Sequence, residues 1–210
     1  MIKKIFSFTL ILNLLIFSCN SDSDDNSSEV WEQKSEMLTN WADNFIIPSY
    51  TTLTNNLVLL EESGNTFASS RNQQNLENLR NSFINAYLSW QYVEMFDIGL
   101  AEETYYKSKM NIYPTTVSKI ELNIQNGNTD FNNSNNYAAQ GFPALDYLLY
   151  GIENSDELIL SKFNNEPQYL IYLSNVINQM LQNTYPIVED WQNYRNPFIG
   201  SVRNTATSSV

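Results

Sequence analysis

The chain contains no histidine and a single cysteine, Cys19. These two absences remove much of enzyme chemistry. Without histidine there is no serine–histidine or cysteine–histidine pair, and the zinc sites that rely on His or Cys ligands cannot be assembled. With one cysteine, no disulfide can form within the chain and no thiolate cluster can hold a metal. Basic residues are also scarce: 11 Lys and Arg stand against 23 Asp and Glu, for a formal charge of −12. Nucleic-acid binding needs basic patches that displace counterions, so this balance argues against it. It suits cation binding and plain solubility equally well. No glycine-rich phosphate loop occurs, and no alternating strand pattern of useful length is present.

Aromatic residues, in contrast, are plentiful. The chain has 13 Tyr, 11 Phe and 4 Trp, too many for a disordered polypeptide. Apolar residues recur at helical spacing. From Glu29 to about Glu62, Met37, Leu38, Trp41, Phe45, Tyr50, Leu53, Leu57 and Leu60 fall at steps of one to five. Pro48 predicts a kink or break inside that segment, and Ser63-Gly64-Asn65 predicts its end.

A second helix is expected from Arg71 to about Asp97, with Leu76, Leu79, Phe83, Tyr87 and Trp90 on one buried stripe. Continuing the same steps reaches Glu94 and Asp97. Buried carboxylates are costly unless paired or bound to a cation. The alternative is that the helix leaves the core there and both acids are wet.

A short helix follows from Thr115 to about Gln125, with a turn at Asn126-Gly127-Asn128. Another opens at Ser155 and ends near Asn164, and Pro167 opens a last long one. The expected fold class is all-α, a bundle of about four main helices with shorter connecting ones.

The first 18 residues read as an export signal. Lys3 and Lys4 precede the apolar run Ile5–Phe17, which is too short to span a bilayer comfortably. Ile16-Phe17-Ser18-Cys19 resembles a lipobox, in which the chain is cut before Cys19 and that cysteine is lipidated; the alternative is an idle cysteine at the end of the signal. Residues 19–28 are polar and acidic, as in a disordered tether. Such a run resembles an acidic surface-export signal and fits a plain periplasmic linker equally well. The expectation is an outer-membrane lipoprotein at the cell surface or the periplasmic face, partnered by the membrane through Cys19. Its folded domain would cover 29–210.

The segment Asn136–Gly151 reads as a loop followed by a helix start. Gly141 and Pro143 open the helix, Asp146 stands in its first turn where the helix dipole favours an acid, and Gly151 would close it at positive φ. This segment resembles the signature of the imelysin family, a group of bacterial envelope proteins linked to iron acquisition and often classed as metallopeptidases. The family motif is G-x-H-x-x-E. Here Gly141 matches its glycine, Pro143 stands in place of its histidine and Asp146 in place of its glutamate. The chain therefore resembles a variant branch, G-x-P-x-x-D. Trp90–Gly99 and Asn111–Ile124 resemble further family segments.

The resemblance runs from about Met37 to the C-terminus. The family is normally longer, so the chain is expected to hold its N-terminal half only, as a truncated product or a half-length relative. Apolar surface would then be left exposed, giving poor solubility or a partner.

The resemblance implies a non-catalytic binding component associated with iron acquisition. Iron or another hard divalent cation would be held by oxygen ligands from Glu94, Asp97 and Asp146. The structural alternative for Asp146 is a helix-dipole acid. A peptidase, as the family is classed, is a second reading. A module binding an envelope protein or a glycan through aromatic surface is a third.

Overall fold

The structure is a computed structural model and describes residues 25–201. Cys19, the export signal and most of the expected tether lie outside the described residues. Within them every regular element is helical.

The first expected helix does not break at Pro48. α1 (Asp25–Trp41) begins inside the run read as a tether and continues through a π turn, Ala42–Ile46, into α2 (Ile47–Ser69). The π turn widens the helix by one residue: the Ile47 N–H reaches back to the Ala42 carbonyl, five residues away. Pro48 then falls at the start of α2, where its missing N–H does little harm.

The inserted residue also fixes which side chains face inward. Leu38, Ala42, Ile46 and Tyr50 are buried at strict four-residue steps. Met37, Trp41 and Phe45, expected in the core, stand one position round and are 45%, 41% and 53% exposed.

Gly64, expected to end this helix, lies buried inside it. A Cβ there would come 3.1 Å from Ile177 Cδ1, so glycine permits the close approach of α2 to the last helix. The end comes instead at Ser69, with Ser70 extended.

α3 (Gln73–Trp90) is capped by Asn72, whose side chain accepts from the Asn75 N–H at 2.9 Å. Leu76, Leu79, Phe83 and Trp90 are buried as expected. The helix stops at Trp90, however, well short of Asp97. The Trp90 carbonyl accepts from both the Val93 and Glu94 N–H groups at 2.9 Å, which tightens the chain into turns. α4 (Leu100–Glu103) and α5 (Tyr106–Met110) follow, then α6 (Val117–Asn126), ended by Gly127 at φ +63°. A 3₁₀ segment (Ser134–Ala139) leads to α7 (Gly141–Asp146) and a second π turn, Tyr147–Gly151. α8 (Asp156–Asn165) is capped by Ser155, as the sequence predicts, and α9 (Pro167–Gly200) runs 34 residues unbroken through Pro186 and Pro197.

α2 packs along both α3 and α9, and α7 closes against α3 and α9. Leu57 and Leu60 of α2 and Leu173 and Val176 of α9 are fully buried in this frame. Each such side chain stabilises the fold by about 1.5–3 kcal/mol. Phe67 and Phe163 meet edge-to-face at 5.2 Å and bring α8 onto the end of α2.

Candidate functional site

The signature helix is set in place by its first residue. Gly141 has φ +72°, and a Cβ there would sit 2.2 Å from the Met110 carbonyl oxygen. Only glycine allows the chain to pass α5 this closely. Gln140, just before it, is buried and donates from Nε2 to the Phe131 carbonyl at 2.8 Å. Phe142 then enters the core against Trp90 and Tyr87, with ring centroids 6.0 and 5.3 Å away. Pro143 is the third residue of α7, within the first turn, whose N–H groups have no intrahelical partner.

Asp146 is the last residue of α7 rather than a first-turn acid, so the helix dipole gives it no support. The helical winding does end at Gly151, as the last residue of the second π turn, but without the positive φ expected of its cap.

Between α3, the segment 111–117 and this π turn lies an open cleft of about 600 Å³. Tyr87 and Tyr150 supply ring surface over the buried Phe83 and Phe142, Tyr113 stands at its exposed rim, and Asp146 contributes the carboxylate. The stripe pattern placed Tyr87 in the core. It lies instead half-exposed beside Phe83, with the two rings parallel at 6.1 Å.

The cleft wall is anchored from behind. Arg80 of α3 donates to the Leu149 carbonyl, within the π turn, at 3.1 and 2.7 Å, and forks onto Asp156 at 2.9 and 2.8 Å. Its guanidinium also covers the Tyr150 ring at 4.5 Å. Arg80 and Gln73 hold the Asp156 carboxyl below the usual range. The Tyr147 hydroxyl donates to Glu121 Oε1 at 2.6 Å, and Tyr169 donates to the other oxygen of the same carboxylate. Burial first, then these bonds to Glu121, push both phenols upward. A Cβ on Gly151 would come 2.9 Å from the Tyr147 ring, so this glycine makes room for it.

The expected metal triad does not assemble. Glu94 pairs with Lys107 at 3.5 Å, and Asp97 is exposed on the loop after α3. Burial and the nearby Glu102 raise the Asp97 carboxyl, with Lys107 acting against them. Asp146 stands apart in the cleft, raised by burial alone. Among the described residues no three His, Cys, Asp or Glu side chains gather closely enough to hold a metal. The reason is the early end of α3: beyond Trp90, helical steps no longer predict a shared face.

Nothing in the sequence singles out Arg80, Glu121 or Tyr113, while Tyr147 and Tyr150 fall within the signature segment 136–151. The one available signal was the spacing of Tyr147 and Tyr150 on either side of the buried Leu148-Leu149 pair.

A family model for imelysin matches residues 46–209. The chain belongs to the imelysin family. Imelysin-like architecture is also found in two solved structures. One, named as an iron-regulated protein A precursor from Parabacteroides distasonis, superposes with a TM-score of 0.69 at 17% identity, over 84% of this chain and 52% of that one. The other, an imelysin-like protein from Psychrobacter arcticus, gives 0.66 at 17% identity over 83% and 55%. At that identity the likeness speaks for the fold alone. This chain spans about half the length of the two solved structures it matches. No curated protein matches it. No helix among the described residues is long and apolar enough to cross a membrane.

Proposed function

We propose that this imelysin is a non-catalytic binding component of the cell envelope, associated with iron acquisition and carried on a lipid at Cys19. The observation that carries the reading is the cleft beside Asp146. What it offers is binding chemistry: ring faces, one carboxylate, the Asn111 amide and the Thr115 hydroxyl. The iron association is supported by the name of the Parabacteroides protein and by the family resemblance. The test is growth under iron limitation of a strain lacking the gene. Complementation by the wild type and failure of Tyr87→Ala to complement is the expected pair. Equal rescue by both removes the cleft from the function. Loss of membrane association on Cys19→Ser tests the anchor.

A second reading, a module that docks on another envelope protein, is favoured by the outward stripe of Met37, Trp41 and Phe45. A partner recovered with the wild type in the presence of chelator, and lost when these three become serine, would support it. Chelator-sensitive cleavage of a protein substrate would favour the peptidase reading over both.

A further inference from the structure

The cleft is unbalanced in charge. Asp146 lines it, and no cation or hydrogen-bond donor among the described residues lowers its carboxyl; burial alone acts on it. The nearest guanidinium is already engaged. Arg80 lies behind the wall, bound to Asp156 and to the Leu149 carbonyl, against one face of Tyr150. The cleft thus presents one unpaired negative charge beside the exposed rings of Tyr87 and Tyr150.

The chemistry of these groups selects among ligand classes. A hard metal ion needs several oxygen ligands, and this cleft supplies one carboxylate. An anion would be repelled by Asp146. A neutral polyol could lie on the rings and donate hydroxyls to Asp146, yet would leave its negative charge unbalanced. A weakly hydrated organic cation satisfies both features, since ring faces carry the negative side of the aromatic quadrupole and Asp146 supplies the counter-charge.

We propose that the cleft binds a small organic cation, an alkylated or quaternary ammonium group, with Asp146 as its counter-ion and the exposed rings of Tyr87 and Tyr150 against its apolar shell. The proposal rests on the reading of this cleft as the binding site and names its ligand class. The cleft volume of about 600 Å³ lies within the range of small-molecule sites.

The test uses two probes of one shape. Choline carries the charge; 3,3-dimethylbutan-1-ol replaces its nitrogen by carbon. Calorimetric titration of the full chain is expected to give choline at least tenfold tighter binding than the alcohol. In Asp146→Asn that preference should fall to within about twofold, while Tyr87→Ala weakens both probes. Asp146 is exposed and has no partner to lose, so the Asn variant keeps the fold, which circular dichroism checks. Equal binding of the two probes by the wild type overturns the cation assignment and leaves the cleft as a binding site. Binding of neither probe overturns it as well. The growth assay judges the binding function separately, so the two readings can fail independently.

Discussion

Two stretches of this chain, Ala42–Ile46 and Tyr147–Gly151, wind as π turns, and each is fastened to its surroundings through an arginine. At the first, Arg195 of α9 forks onto Asp43 within the turn, at 2.6 Å to each oxygen. At the second, Arg80 of α3 grips the Leu149 carbonyl and Asp156. The surroundings differ. The first turn lies near the surface, with Arg195 and Asp43 side chains 33% and 39% exposed, and its apolar neighbours Trp41 and Phe45 face outward. The second is packed on α7 with Leu148 and Leu149 fully buried, while Tyr150 borders a cleft. One inserted residue thus keeps a long rod in register with its core in one place. In the other it helps shape a concave wall. π turns often accompany functional sites, and both of these border an open cleft: Asp43 and Asn44 of the first share one of about 1110 Å³ with Ile199 and Gly200 of α9, whereas only the second brings several aromatic rings to its cleft.

The strongest way to break the first turn is to overfill the buried position at its start. Ala42→Trp forces an indole into the fully buried Ala42 position. That slot holds a methyl group, and the overpacking should cost about 3 kcal/mol, read as a lower denaturation midpoint with α1 detached. At the second region the comparable damage comes from Gly141→Ala, just upstream. The positive φ and the 2.2 Å approach to Met110 O should together cost about 3 kcal/mol. Gly127→Ala, also at positive φ but in open space, should cost only about 1 kcal/mol.

The arginine anchors sharpen the contrast. Arg80→Met strips a largely buried network and should cost about 2 kcal/mol. Arg195→Met should produce a much smaller change, because its partner is solvent-accessible. Acid titration probes both pairs. Arg80 holds the Asp156 carboxyl low, so this pair's stabilisation is fully present above the ordinary carboxylate range. It is lost as pH falls through the lowered folded value. Asp43 behaves in the same sense with Arg195. The Asp146 carboxyl is raised by burial, so its protonation favours the folded state as pH falls through that raised value. Melting temperatures measured from about pH 5 down to pH 2 should show a flatter acid limb for Arg80→Met than for the wild type.

The smallest effect is expected at the outward stripe. Serine at Met37, Trp41 and Phe45 should leave stability within about 0.5 kcal/mol per site while reducing self-association in light scattering.

Much of the helical layout was legible because its signals are local. Ser155 caps a helix in place, Gly127 ends one, and Leu76, Leu79 and Phe83 mark a true core face. The errors cluster where a local signal has two meanings. Gly64 reads as a terminator but serves a helix crossing, and Pro48 reads as a breaker but opens a helix after a widened turn. Glu94 and Asp97 follow the stripe only on paper, because α3 has ended. The cleft was hidden because its rings come from α3, the segment 111–117 and the second π turn, which no spacing rule connects.

The sequence by itself determined that this protein is helical, acidic, rich in aromatic residues and poor in the side chains of metal and nucleophile chemistry. Those properties follow from composition and from backbone preferences that each residue carries wherever it sits. Tertiary structure alone decided which face of α1 turns inward, where α3 stops and what surrounds Asp146. Each of those outcomes depends on packing against residues far away in the chain, and a single inserted residue in a helix is enough to exchange the buried face for the exposed one.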